Sequence, residues 1–441
     1  MIEELEQKLD SFDAAEREQA LAELCKRVKA GEIALPEPGR FVNVHCHTFF
    51  SYNAYGYSPT KFAWLARKAG LAVVGTVDFD VLDALDEFRR ACRLLGLKGC
   101  SGLETRVYVP EFSTRVINSP GEPGISYHMG VAFPSAQVGE SQREFLAGLK
   151  ETAQKRNRDL MKRVNAYLAP VQLDYERDVQ VLTPAGNATE RHMCVAYARK
   201  ARELFGDTEE LAKFWSDKLG TDAQTLGLPE SRDLLNTIRA KTMKRGGVGY
   251  VKPDKGSFPQ MAETNRFILA AGGMPVHTWL DGTSDGEQAM EELLDVAMST
   301  GAVALNVIPD RNYTPGHPDQ KVRNLYQVVE IAQKRHLVVV EGTEMNSPGQ
   351  KFVDDFETEE LAPLLPVFRT GAHIVYAHAV MQRQCGLGYT SAWANEHFET
   401  AEKKNAFFEE VGVELSPQQE DDLGQLNAGA SPADVLKTIQ R

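Results

Sequence analysis

Two histidines one residue apart, His45 and His47, close a β-branched and aromatic run in Phe41-Val-Asn-Val-His-Cys-His-Thr-Phe-Phe-Ser51. Residues two apart on an extended strand share a face, so both imidazoles address one point in space. Paired imidazoles suit a first-row metal ion. Later strand-like runs end on, or carry, Asp78, Glu104, His128, His277 and Glu344. Imidazole with carboxylate is a ligand set for zinc, manganese or iron; it is too hard for copper(I) and too rich in nitrogen for a dedicated calcium site. A carboxylate can bridge two ions, and two ions about 3.5–4 Å apart can clamp a phosphoryl group and activate water. Each residue has an ordinary explanation alone: a packed strand histidine, a solvated strand end, a charged loop. The shared strand-end position favours the joint reading.

The elements that must position these residues alternate. Polar helices with Leu5, Leu9, Leu21 and Leu24 on one side fill residues 1–37. The His45 strand follows. Ser58 and Pro59 then predict a helix N-cap and first turn, with Gly70 as the stop. Further strands are expected at 71–77, 99–109 and 127–133, the last opening with His128. Strand–helix alternation resumes with 273–277, 302–308 and 337–341, and 374–378 reads as a last strand. Between them, 135–259 is mostly charged helix, with helices at 142–168, 191–205 and 208–219 and a glycine turn leading to a short strand over 246–251. The expected organisation is N-terminal helices 1–37, a discontinuous α/β barrel over 38–134 and 260–390, a helical insertion or cap at 135–259, and C-terminal helices 391–441. Polar residues at strand ends fit a barrel, where sites gather on one face.

Composition excludes several classes. A 441-residue chain with 42% hydrophobic and 25% charged residues is that of an ordinary globular protein. Its net charge of −13 argues against general attraction to duplex nucleic acid or anionic membrane. Six cysteines without a C-x-x-C pair indicate neither a zinc ribbon nor a disulfide framework. The acidic, amphipathic start is no signal peptide, and a cytoplasmic location is expected.

His45-x-His47-x-x-x-Ser51, Thr76-Val-Asp78-Phe-Asp80 and Gly102-Leu-Glu104 together resemble the PHP (polymerase and histidinol phosphatase) superfamily. Glu190-Arg-His-Met-Cys-Val-Ala-Tyr-Ala198, Gly249-Tyr-Val-Lys252 and Ala270-Ala-Gly-Gly-Met-Pro-Val-His277 are similar to its branch of nucleoside-phosphate phosphatases and 5′–3′ exoribonucleases. The resemblance implies a distorted (β/α)7 barrel with up to three metal ions. It would place His45, His47, Glu104 and Glu344 on a first ion, and Glu104, His128 and His277 on a second. The third site departs from the pattern. Phe79 stands inside the usual Asp-His-Asp motif, Asn346 stands where Gly342-Thr-Glu-Met-Asn346 should close on histidine, and Tyr52 and Asn53 stand where a further ligand is usual. Two divalent ions, manganese or zinc with iron as an option, are therefore expected. The resemblance also places an Arg-Pro-His element over the substrate phosphate, which here points to His192 and a displaced Arg191. The basic run Arg156, Arg158, Lys162, Arg163 is either a solvated helical face or a phosphate guide.

The expected function is metal-dependent hydrolysis of a small phosphorylated substrate, a nucleotide or short oligonucleotide such as RNA among the options. Asp78 would orient a ligand or water, and His192 would be a candidate proton donor. The alternative is a PHP-fold protein that binds metal or ligand without turnover. An amidohydrolase also begins with His-x-His on a barrel strand, but no lysine here suits its metal bridge.

Overall fold

The computed structural model describes residues 2–253, 256–314 and 320–440. Its centre is one seven-stranded sheet in chain order: β1 (Val42–Cys46), β2 (Val73–Phe79), β3 (Lys98–Tyr108), β4 (Ile125–Val131), β5 (Met274–Thr278), β6 (Ala304–Val307) and β7 (Val338–Glu341). Most strands are buried along their whole length, as valine-rich strands covered on both faces should be. The neighbouring pairs are parallel except around β4, which runs antiparallel to both β3 and β5. The cause is local. Between β3 and β4 the described chain holds only the single turn Pro110–Phe112, whereas a parallel return needs a crossover helix. The sheet then curls until its ends meet. The His47 amide donates to the Glu344 carbonyl at 2.8 Å and the Glu344 amide to the His45 carbonyl at 2.9 Å, beside the Cys46–Glu344 bridge. The result is a nearly closed, distorted seven-strand barrel with a helical insertion.

Local signals explain many boundaries. Ser58 caps the helix Pro59–Ala69 by accepting from the Lys61 amide, and Gly70 ends it at φ 67°, where a side chain would be strained. Two expectations fail. Residues 374–378 lie inside the helix Leu365–Cys385, since a short apolar run reads the same as buried helix or as strand. The helix sits so close to the sheet that a Cβ on Gly371 would lie 1.8 Å from the Val339 carbonyl oxygen. Residues 246–251 form turns and no strand, because the Gly247 and Gly249 amides bond back to Lys244 and Thr242.

The insertion helices Glu140–Leu168, Glu190–Phe205, Glu209–Leu219 and Arg232–Ile238 bury their own apolar core around Val164, Tyr197, Trp215 and Ile238. Tyr52, from the loop after β1, joins that core and ties the insertion to the barrel. Among the described residues no helix is long and apolar enough to cross a membrane.

Glu341 ends β7 and is buried with Asp354, and no donor reaches any of their four carboxyl oxygens. One proton held between the two would join an oxygen of each and remove the repulsion of two buried charges. Burial, and then the nearby Asp310 charge, push Asp354 up to about 8; burial and Asp354 push Glu341 up as well. A raised carboxyl binds its proton more tightly in the folded chain. Its contribution is therefore full below roughly pH 4 and lost as pH rises through about 8. Glu341→Gln is expected to melt at a higher temperature than wild type at pH 8.5 and to lose that advantage at pH 5. Scanning calorimetry at both values checks this; an equal shift at each would show that the pair holds no shared proton.

Candidate metal centre

β1 and the residue just after it present His45 and His47 to one side, and β3 brings Glu104 against them across β2, where Glu104 is in register with Phe79. His47 Nε2 lies 3.3 Å and His45 Nε2 3.8 Å from Glu104 Oε2. One ligand atom from each residue falls within 4.8 Å of the others. All three residues are at most 1% exposed, and His45 Nε2, His47 Nε2 and Glu104 Oε2 have no hydrogen-bond partner. Buried polar atoms left unpaired are costly, and three that converge on one point are satisfied together by a cation. The donor set fits a divalent transition metal.

The far side of each imidazole is held. His45 Nδ1 faces Asn306 Oδ1 at 3.3 Å, and His47 Nδ1 faces Ser51 Oγ at 3.2 Å. Ser51 Oγ in turn donates to Asp78 at 2.6 Å, and Asp78 also accepts from the Thr48 amide and hydroxyl at 2.8 and 2.7 Å. This chain places the ring proton on Nδ1 and leaves Nε2 free to ligate. Burial lowers the pKa of both histidines, which keeps them neutral. Asp78 thus reaches the cluster only through Ser51.

His128 and His277 are not part of this cluster. They oppose each other across β4 and β5 with ring centroids 6.3 Å apart, and His128 Nε2 lies 2.5 Å from Asn265 Oδ1 on the helix Met261–Ala270. Directly opposed residues on paired strands share a face. The partner of Glu104 is Met129, so His128 is turned to the other side of the sheet, toward that helix. Strand parity thus keeps the ligand set expected for a second ion from gathering in this structure. β4 starts at Ile125, so His128 is mid-strand, and Tyr127 and Met129 take the inward positions.

Glu344 stands beside the cluster without belonging to it. Its carboxylate accepts from Arg311 Nε at 3.1 Å and Gln350 Nε2 at 3.0 Å. Glu344 and Met345 both have positive φ, 58° and 53°, an uncommon conformation that turns the backbone onto β1. Phe79 stacks on the His47 ring, with centroids 4.4 Å apart and planes at 24°, and covers the cluster from outside.

Beyond Phe79 opens a cavity of about 550 Å³, walled also by Tyr127, Glu344 and Asn346. Six basic side chains line it: Arg106, Arg156, Arg191, Arg239, Lys244 and Arg311. Four of them have carboxylate partners. Arg106 pairs with Glu122, Arg239 and Lys244 both pair with Glu190, and Arg311 pairs with Glu344. Among the described residues no carboxylate pairs with Arg156 or Arg191. Arg191 donates to the neutral Asn236, and Arg156 lies over the Phe258 ring at 4.6 Å. Burial lowers the pKa of both guanidiniums, Arg156 to about 10, and both stay charged. His192, one residue on, lies elsewhere. Its Nδ1 accepts from the Thr189 amide at 3.1 Å to cap the helix Glu190–Phe205, its ring packs edge-on against Tyr52, and it does not line the cavity. Of the other basic residues in that run, Arg158 pairs with Glu176, Lys162 with Asp159, and Arg163 donates to the Gly249 carbonyl. Sequence reasoning gave no role to Arg106, Arg239, Lys244 and Arg311. They are far apart along the chain, and no local pattern joins them.

No protein-family model and no curated protein matches this sequence. Among solved structures, the chain is similar to an amidohydrolase from Chromobacterium violaceum, determined with bound sulfate and no metal; identity is 17% and TM-score 0.49, covering 75% of this chain and 96% of that one. It is also similar to a protein from Bifidobacterium adolescentis described as a candidate metal-dependent phosphoesterase, with 19% identity and TM-score 0.47, covering 75% of this chain and 98% of that one.

The geometry separates the histidines by experiment. Glu104→Gln and His47→Ala are expected to lower affinity for zinc or manganese at least tenfold, while His277→Ala keeps wild-type affinity. Isothermal titration checks all three. Loss of metal in His277→Ala would place His277 back on the ion.

Proposed function

We propose that this chain is a metal-dependent hydrolase of a small phosphorylated substrate. The observation that carries the proposal is a buried, unsatisfied His45–His47–Glu104 cluster next to a cavity holding two guanidiniums without carboxylate partners. A divalent manganese or zinc ion there would supply Lewis-acid polarisation of a phosphoryl oxygen and acidification of water. The chain supplies the rest. Arg156 and Arg191 bind the anionic group by charge-assisted hydrogen bonds, for which planar guanidiniums are suited. Ser51 and Asp78 keep His47 in its ligating tautomer, and Asn306 does so for His45. A cavity of this volume is on the scale of a nucleotide-sized ligand.

A second reading is binding without turnover. The stacking of Phe79 over His47 favours it, because that ring narrows access from the cavity to the cluster. A panel of phosphate monoesters and diesters, assayed with manganese or zinc and with Glu104→Gln as blank, decides between them. The hydrolase reading expects metal-dependent release of product by wild type on at least one substrate. Wild type equal to the blank on every substrate would leave the binding reading. For a substrate that turns over, Arg156→Met with Arg191→Met is expected to raise KM roughly tenfold or more and to change kcat less, since each charged hydrogen bond contributes about 1.5–3 kcal/mol.

A further inference from the structure

From the arrangement of Arg311, Glu344 and Glu104 we infer that the centre holds a single divalent ion and that the Arg311 guanidinium takes the place of a second one. This rests on the metal-centre part of the reading above and is independent of the substrate. Three observations support it. Among the described residues only His45, His47 and Glu104 gather as metal ligands, and the inward positions that could have added imidazoles next to Glu104 carry Tyr127 and Met129. Phe79 fills a further corner by stacking on His47. Glu344, the carboxylate nearest in kind to another ligand, is engaged by Arg311 through Nε and a terminal nitrogen, both 3.1 Å from the same oxygen.

The surroundings of Glu344 point the same way. The Arg311 guanidinium lies against Glu344, and its field also reaches Glu104. Asp78 accepts three hydrogen bonds from Thr48 and Ser51, and Asp80 accepts one from Thr105 on Oδ1. A second divalent ion would sit against the Arg311 guanidinium, which already engages Glu344 Oε2. A guanidinium also offers fixed N–H donors to phosphoryl oxygens, so Arg311 can bind the substrate as well as balance Glu344.

The test is metal stoichiometry on the full chain, with manganese as the probe. Wild type is expected to retain one Mn(II) per chain by elemental analysis, with the paramagnetic resonance spectrum of an isolated ion. Arg311→Met exposes Glu344 beside Glu104, and is expected either to take up a second ion or to bind the first at least tenfold more tightly. Arg311→Lys keeps the charge and should stay at one ion with wild-type affinity. Arg311→Gln repeats the neutral change with a polar side chain, should Arg311→Met fail to fold. Two coupled ions in wild type would overturn the inference. So would a folded neutral variant that matches wild type in count and affinity. No bound ion in wild type would overturn both this inference and the metal-centre reading, whereas one bound ion without hydrolysis of any ester would defeat only the hydrolase proposal.

Discussion

Three buried atoms with nothing to bond to, His45 Nε2, His47 Nε2 and Glu104 Oε2, set the terms for the rest of this structure. Burial of a polar atom without a partner opposes folding, so such atoms persist where a ligand completes them. Much of the surrounding barrel acts to keep them in place. The Ser51–Asp78–Thr48 network fixes one imidazole, Asn306 fixes the other, and the β1 junction with Glu344 closes the sheet at the level of the cluster. The positive φ angles at Glu344 and Met345 belong to this closure, since they turn the chain after β7 onto the backbone of β1.

The cavity answers a different constraint. A chain with a net charge of −13 repels small anions at long range, yet it places six basic side chains around one space. They come from the barrel strand β3, from insertion helices and turns, and from the segment after β6, and most are balanced by nearby acids. Glu190 holds Arg239 and Lys244, and its own pKa is driven down despite burial by the cations around it. Pairing of this kind lets basic groups crowd together without mutual repulsion. What remains for a ligand is the charge on Arg156 and Arg191.

Much of this was legible in the amino-acid sequence. The His45-x-His47 spacing requires a common face on any extended strand, the Ser58-Pro59 and Gly70 signals bound a helix by capping chemistry alone, and the valine-rich runs predict a covered sheet. The helical character of the insertion was legible for the same reason, because its helices carry their own apolar periodicity. These features depend on residues close together in the chain.

Tertiary structure decided what depends on pairing between distant segments. His128 and His277 have the right chemistry for a metal, but the parity of β4 against β3 turns them to the outer face, and shifting a strand by one residue exchanges its two faces. The 374–378 run became helix because its neighbours on both sides are also apolar and its contacts with β7 admit a close helix. Arg311 could be given no role from sequence, since it meets Glu344 only when the segment after β6 and the turn after β7 are brought to one rim of the barrel. Chemistry that lies within one strand or one helix turn is written in local spacing; chemistry shared between strands waits for the register that joins them.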